Sequence, residues 1–333
     1  MWSVVGPVNL VTQRTNSRYT SRSDSLAFSL LFISGCELGR SERTKSICRG
    51  SRVDQMERIG NKEFADEIVE KAKQLGACLA GIADVLELRR SPSHVIYSKL
   101  DSFRGIGTKE SKGIAPGEFA WPQRARSIIV FAVPHPSYEP ELDWWIEGCH
   151  GGTPGNQMLI SINDGLSRWL KEKKGVKTKK LPYYIEQGGV FLKDAAAMAG
   201  LGCIGKNNLF LTPDFGPEIR LRALFIYLEL PSTGPLKFDP CKECDMPCRK
   251  VCPQDAFASK KYLQGQMGLA DLPGRDGVYD RHLCNAQMES DVAKSERTAA
   301  EGGEKAGRVV RYCRRCELAC PVGKRAIDQR RER

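Results

Sequence analysis

With 333 residues, 41% hydrophobic and 27% charged, the chain has an ordinary globular composition and room for two domains, or one large domain with an appendage. No apolar run reaches the roughly 18 residues that a membrane-spanning helix needs. The formal charge of +11 invites a nucleic-acid partner, but residues 1–55 alone carry eight Arg or Lys against four Asp or Glu, a net +4.

Residues 1–55 differ in texture from the rest. They are rich in Ser, Arg and Thr, with one apolar run from Leu26 to Ile33 and then Ser34-Gly35-Cys36. Three readings stand side by side: a targeting or lipoprotein-type segment, a disordered tail, or an upstream extension with translation starting at Met56. Globular patterning begins just after Met56. Asn61 to Leu75 has Phe64, Ile68, Ala72 and Leu75 at helical spacing, with Asn61 suited to cap the start and Gly76 the end. Ala77 to Ala83 is a short apolar run fit for a buried strand. Ser127 to Val133 is a second such run, stopped by Pro134-His135-Pro136. Ser161 to Lys173 reads as a helix with Ile162, Leu166, Trp169 and Leu170 on one face. Val190 to Ala199 reads as another helix, and Leu224 to Leu228 as a third strand ended by Pro231. The pattern predicts an α/β (or α+β) cofactor-binding domain over 56–235.

From Pro235 cysteine, proline and charge rise, which marks 236–333 as a second domain. An insertion near 285–310, including Glu301 to Lys305, is expected to be a flexible surface loop. Cys241, Cys244, Cys248 and Cys252-Pro253 form a Cys-x2-Cys-x3-Cys-x3-Cys-Pro run. Cys313, Cys316 and Cys320-Pro321 answer it, and Cys284 stands alone between them. Thirteen cysteines could mean a secreted disulfide framework, but clustered cysteines in a long chain favour metal ligation in a reducing, cytoplasmic setting. The spacing is nearly that of bacterial two-cluster ferredoxins, Cys-x2-Cys-x2-Cys-x3-Cys-Pro, in which the fourth cysteine ligates the other cluster. Two 4Fe–4S clusters need eight thiolates, so Cys284 supplies the one missing from the two groups. By the crossing rule Cys241, Cys244, Cys248 and Cys320 hold cluster 1, and Cys252, Cys284, Cys313 and Cys316 hold cluster 2. Zinc is the rival metal for Cys-x2-Cys pairs, but two terminal Cys-Pro elements do not add to a zinc site. Two such clusters would offset about four positive charges, leaving the body of the chain near +3 and nucleic acid without support from charge.

The five remaining cysteines (Cys36, Cys48, Cys78, Cys149 and Cys203) are expected to be buried or incidental thiols. His94, His135, His150 and His282 show no metal spacing and are expected to be structural, and Trp144-Trp145 to pack rather than stack on a base. Gly200-Leu201-Gly202-Cys203-Ile204-Gly205 spells a dinucleotide fingerprint, but it closes a helix where the fingerprint should open one. A tight turn that lets a ligand or a neighbouring chain approach closely is the better reading. Tyr183-Tyr184-Ile185-Glu186 and Lys193-Asp194 bring ionisable groups near that turn, with Asp194 and Lys206 as candidate proton donors.

Leu192 to Asn207, ending Ala199-Gly200-Leu201-Gly202-Cys203-Ile204-Gly205-Lys206-Asn207, resembles the core motif of epoxyqueuosine reductases. Ala223 to Pro231 and the isolated Cys284 before Cys313-x2-Cys316-x3-Cys320-Pro321 match too, and the resemblance covers about 60–333. It implies two 4Fe–4S clusters beside a cobalamin in the α/β domain, as in the related reductive dehalogenases. Electrons would come from an external low-potential donor and pass to a small-molecule or corrinoid acceptor. Gly200, Gly202 and Gly205 would lie against the corrin. Two departures mark a divergent member. The Asp-Tyr-His segment of epoxyqueuosine reductases corresponds here to Gly155-Asn156-Gln157-Met158, without the acid. The extra residue in Cys244-x3-Cys248 requires a bulge, expected at Met246-Pro247. An iron–sulfur oxidoreductase with a different substrate, a ferredoxin-type or corrinoid-reactivating carrier, and a tRNA epoxyqueuosine reductase are the three functions this pattern allows.

Overall fold

The computed structural model describes residues 61–297 and 307–324. The expectations for residues 1–55, for the Met56 start and for the Glu301 to Lys305 loop lie outside the described residues. All described residues belong to one compact unit.

Its centre is a four-stranded sheet. Strands β1 (Leu79–Asp84), β2 (Ser127–Pro134), β3 (Thr178–Lys180) and β4 (Ile219–Ile226) lie in the order β1-β2-β4-β3, every neighbouring pair antiparallel. The fold is therefore mixed, with helices packed on an antiparallel sheet rather than alternating with parallel strands.

The apolar run of β2 has no polar alternation because both of its faces are covered. Ile129, Phe131 and Val133 face helix α1 (61–74) and helix α2 (Pro154–Lys174), meeting Ile68, Ala72, Leu159, Ile162, Leu166 and Leu170. Ile128, Val130 and Ala132 face the other layer with Ala195, Ala196 and Ala199, which belong to or directly follow helix α3 (Leu192–Met198). All six of these β2 side chains are fully buried. Removing each from water contributes on the order of 1.5–3 kcal/mol for the larger ones.

Three boundaries differ from the sequence expectation, each for a local reason. Helix α2 starts seven residues before Ser161, where the sequence places its start, because Thr153 caps it by accepting from Asn156 N at 3.1 Å and Pro154 fits the first turn. Strand β4 starts at Ile219, since Arg220 and Arg222 are drawn into the sheet despite their charge. The insertion after Cys284 is not loop throughout: helix α4 (Arg281–Ala293) occupies its start, capped by Asp280 Oδ1, which accepts from His282 N at 2.8 Å and Leu283 N at 3.1 Å. Gly76 and Gly175 end α1 and α2 at φ +106° and +65°, a conformation that glycine adopts at little cost.

His94 is structural, as expected. Phe119, Trp121 and Phe191 enclose it, and Tyr97 packs on Phe119 and Phe191. Burial lowers its pKa to about 3, so the ring is neutral. Phe191 N donates to Nε2 at 3.3 Å, which leaves the ring proton on Nδ1, 2.8 Å from Ser91 Oγ. Trp145 packs with Met288, Val310 and Tyr312, again as expected.

Candidate redox site

The folded chain gathers the eight cluster-motif cysteines into two sets. Cys252, Cys284, Cys313 and Cys316 line one cavity of about 600 Å³, counting its opening. Cys241 and Cys320 pack in one apolar cluster with Leu209 and Leu211; the Cys241 and Cys244 sulfurs are close enough to add to the rise in the Cys248 pKa, and these three sulfurs to that of Cys320. Cys252 lies with the later cysteines and Cys320 with the earlier ones, while Cys316 also packs against the cluster that holds Cys241 and Cys320.

Local geometry explains the presentation of each sulfur. Met246 sits at φ +54°, ψ +51° immediately before Pro247, so the backbone turns back there and absorbs the extra residue between Cys244 and Cys248. Met246 N donates to Cys244 Sγ at 3.4 Å, and Ala256 N to Cys252 Sγ at 3.4 Å. Cys284 stands in the first turn of α4, with its own N–H bonded to Asp280 O at 3.2 Å. Asp291, near the other end of α4, accepts from Cys313 N at 2.8 Å.

None of the described cysteines is in a disulfide. Burial pushes the Cys320 thiol up to about 11, and the Cys248, Cys241 and Cys244 sulfurs add to the rise. Burial also pushes up Cys316, with Cys284 and Cys313 among the further causes. Crowded buried thiols of this kind ionise together only when a cation takes up the charge. Among the described residues no three His, Cys, Asp or Glu side chains close on the point that a single metal ion would occupy. Cys252, Cys284, Cys313 and Cys316 instead border a common space.

A turn at Lys206-Asn207-Asn208 ties both sets to the sheet domain. Lys206 O accepts from Arg249 Nε at 2.8 Å, between Cys248 and Cys252. Asn207, buried at 3% exposure, donates from Nδ2 to Cys316 O at 3.4 Å. Asn208 O accepts from Lys193 Nζ at 2.5 Å, and its Oδ1 from Gly274 N at 3.2 Å. Arg249 completes the bracket with two bonds to Asp276, at 2.9 and 2.7 Å.

The glycines sit beneath this turn, in close contact with the protein's own backbone. Gly200, Gly202 and Gly205 line neither cavity described here. A Cβ on Gly202 would lie 1.9 Å from Leu211 O, and one on Gly200, at φ +75°, would lie 2.9 Å from Gly234 Cα. The space that glycine leaves is filled by the protein's own backbone, which lets the hairpin of Cys203–Ile204 and Phe210–Leu211 pack and project the Lys206–Asn208 turn. Lys206 also lines neither cavity. Asp194 points the other way: its Oδ1 accepts from Ser93 N at 3.0 Å, tying α3 to the helix Pro92–Tyr97, and burial raises its pKa. Cys203, expected to be incidental, packs beside Cys241 and Cys320.

A second cavity, of about 1030 Å³ with its open mouth, adjoins the later cysteine set: Lys193 and Leu209 line both spaces. Sequence reasoning placed His135 as structural, but it forms part of this wall with Asp143, Tyr184, Arg220, Tyr312 and Glu317. Arg220 pairs with Asp143, Arg314 pairs with Glu317, and Arg314 Nη2 donates to His135 O at 2.7 Å. His135 Nδ1 is 3.6 Å from Asp143 Oδ1 and 3.8 Å from Glu317 Oε1. Complete burial, reinforced by the charges of Arg220 and Arg314, holds its pKa well below 6.5, so the ring is neutral. Among the described residues nine buried side-chain N or O atoms lack a hydrogen-bond partner, and four of these (His135 Nδ1, Tyr184 Oη, Arg220 Nε, Tyr312 Oη) belong to this lining. Buried polar groups are normally satisfied, so this concentration fits a polar ligand.

No protein-family model matches the chain. It is 35% identical over 226 residues to an epoxyqueuosine reductase of Pseudomonas aeruginosa, which covers 63% of this chain and 60% of that protein. It is likewise 35% identical over 236 residues to a tetrachloroethene reductive dehalogenase of Desulfitobacterium hafniense, covering 62% of this chain and 41% of that one. The chain is a distant relative of the epoxyqueuosine reductases and reductive dehalogenases. It spans about three fifths of the length of the first of these relatives and two fifths of the second. A reductive dehalogenase whose structure bears on B12-dependent dehalogenation shares the fold, with a TM-score of 0.50 at 16% identity over 80% of this chain and 34% of that chain. The relationship is to reductases, and the mixed α/β fold agrees with it. No helix among the described residues is long and apolar enough to cross a membrane.

Proposed function

We propose that the eight cysteines hold two 4Fe–4S clusters and that the large cavity holds a corrinoid-class cofactor and a small-molecule substrate, making the chain an iron–sulfur reductase fed by an external low-potential donor. The observation that carries this reading is the shared wall: Lys193 and Leu209 separate four convergent cysteines from a ligand-sized space. When bound, the clusters supply single-electron transfer and the corrinoid a metal centre at which substrate can be reduced.

The residues' own tasks follow from their surroundings. Cys252, Cys284, Cys313 and Cys316 present their sulfurs next to the cavity, and Cys241, Cys244, Cys248 and Cys320 serve as the station farther along the motif. Lys193 is buried with its pKa lowered to about 8 by desolvation, so at neutral pH it still carries a charge that supports negative charge arriving at either side of the wall. Burial keeps the Tyr184 and Tyr312 phenols protonated, so their unpartnered O–H groups can donate to a ligand.

The size of the cavity favours an enzyme over a carrier with no substrate of its own. Reduction of tRNA epoxyqueuosine has less support, since Gly155-Asn156-Gln157-Met158, the stretch that corresponds to the Asp-Tyr-His segment, carries no acid, and its Asn156 is buried, donating from Nδ2 to Gly151 O at 2.8 Å. Mixing anaerobically reconstituted protein with hydroxocobalamin tests the cofactor assignment. The expected result is a saturable change in the cobalamin absorption spectrum. An unchanged spectrum would remove the corrinoid and leave the carrier reading.

A further inference from the structure

Between the helix Pro92–Tyr97 and β2 the chain runs on without helix or strand. A run of this length inside a compact unit is usually functional. Its part from Phe103 to Lys112 is held at both ends, and the two holds lie on different parts of the site.

One hold is the start of α4, around Cys284. Ile106 N donates to Asn285 Oδ1 at 2.8 Å, and Asn285 Nδ2 donates in turn to Glu289 Oε1 at 2.7 Å. The Arg281 guanidinium lies 3.6 Å from the centre of the Phe103 ring, and the His282 ring meets the same ring edge-on at 5.2 Å. Ile106 also packs against the apolar cluster of Trp145, Met288, Val310 and Tyr312. Thr108 Oγ1 stiffens the turn, accepting from Gly105 N at 3.0 Å and donating to Gly105 O at 2.8 Å. Glycine is needed at 105 because a Cβ there would lie 2.6 Å from Asn285 Oδ1.

The other hold is the wall of the large cavity. Gly107 is part of its lining, with Tyr184 and Ile185. Lys109 Nζ lies 5.5 Å from the centre of the Tyr184 ring, and Lys112 N donates to Glu186 O at 3.1 Å.

We infer, on the reading that the large cavity is the ligand site, that Phe103 to Lys112 form a strap closing that cavity on its Tyr184 side, and that Asn285 is the positioning residue that seats the strap on α4. Asn285 is buried at 9% exposure and follows Cys284 directly, so the seat of the strap and a cysteine of the later set share one helical turn. A strap tied in this way keeps water from the side of the cavity where the Tyr184 phenol lacks a partner, and it slows the escape of a bound ligand. Without the Asn285 oxygen the strap keeps its hold at Glu186 and loses the one at Ile106.

Hydrogen exchange of the 103–112 amides, read by mass spectrometry on the anaerobically reconstituted full chain, tests this together with hydroxocobalamin affinity on the same samples. Wild type is compared with Asn285→Ala, with Asn285→Asp, which keeps an acceptor oxygen, and with Gly105→Ala, which crowds the seat without altering α4. In Asn285→Ala and Gly105→Ala exchange should be about tenfold faster and hydroxocobalamin binding weaker by a similar factor. Asn285→Asp should stay near wild type in both. Unchanged exchange in Asn285→Ala and Gly105→Ala would overturn the seat. Equal acceleration in Asn285→Asp would overturn the role of the acceptor oxygen, and faster exchange at unchanged affinity would overturn the role of the strap at the cavity. A wild-type protein that does not bind hydroxocobalamin would remove the ligand reading of the cavity and the strap's task with it. That failure shows in the wild type alone, whereas the others show only in the variants.

Discussion

Cys284→Ala is expected to lower the iron bound after anaerobic reconstitution from about eight to about four per chain, with loss of any electron transfer into the large cavity. The expectation comes from counting and from placement together. Cys284 is far in sequence from its partners, and α4 carries it to the wall that Cys252, Cys313 and Cys316 also line. Alanine keeps the helix, because the Asp280 cap and the turn around it do not involve the sulfur. The defect should therefore be confined to one cluster, leaving the Cys241, Cys244, Cys248 and Cys320 set filled. Iron and sulfide analysis with EPR reads this directly, and a variant that retains about eight irons would show that the ligand set is wrong.

Asp143→Ala is expected to be the most damaging substitution outside the cysteines. The Asp143 side chain is 9% exposed and pairs with Arg220, which is 7% exposed, and Arg314 Nε lies 3.7 Å from its other oxygen. A buried ion pair adds little over a well-packed apolar pair, but removing one partner leaves a buried charge uncompensated and costs about 3–5 kcal/mol. Even with Glu317 nearby, burial lowers the Arg220 pKa to about 10, so this buried charge depends on its acidic partners. The same network reaches Arg314 and Glu317, which flank Cys316, so damage should spread to the later cysteine set. A fall of roughly 5–20 °C in melting temperature is expected for a domain of this size, together with weaker cluster retention. Asp143→Asn, which keeps the side-chain shape and one acceptor oxygen, should lose less. Equal melting temperatures for wild type and Asp143→Ala would contradict the assigned role.

The parts of this architecture that were legible in the sequence are those fixed by short-range spacing. Cysteine intervals and Cys-Pro endings foretell two sets, and the structure brings the same residues together. The extra residue after Cys244 calls for a backbone reversal, found as the left-handed Met246. Strands β1 and β2 are visible as short continuous apolar runs, and α2 by apolar residues that repeat at helical spacing. Long-range placement was not legible. Asn207 and Cys316 are 109 residues apart, Arg249 and Lys206 43 apart, and no local pattern signals either contact. Lys193 belongs to the wall while its neighbour Asp194 does not, because successive residues on α3 face different layers. The glycines illustrate the limit most clearly. A pattern of glycines says that something approaches closely without saying what, and Leu211 O and the Gly234 backbone are among the groups that do so here. His135 and Arg220 resemble ordinary strand-end residues until the fold buries them with Asp143 and Glu317 beside the cavity.

The central claim, that these two cysteine sets are iron–sulfur cages, is most directly tested by iron and acid-labile sulfide analysis of the anaerobically reconstituted full chain. About eight irons and eight sulfides per chain are predicted. Fewer than about six irons would contradict the two-cluster account, and zinc bound in place of iron and sulfide would contradict the cages altogether.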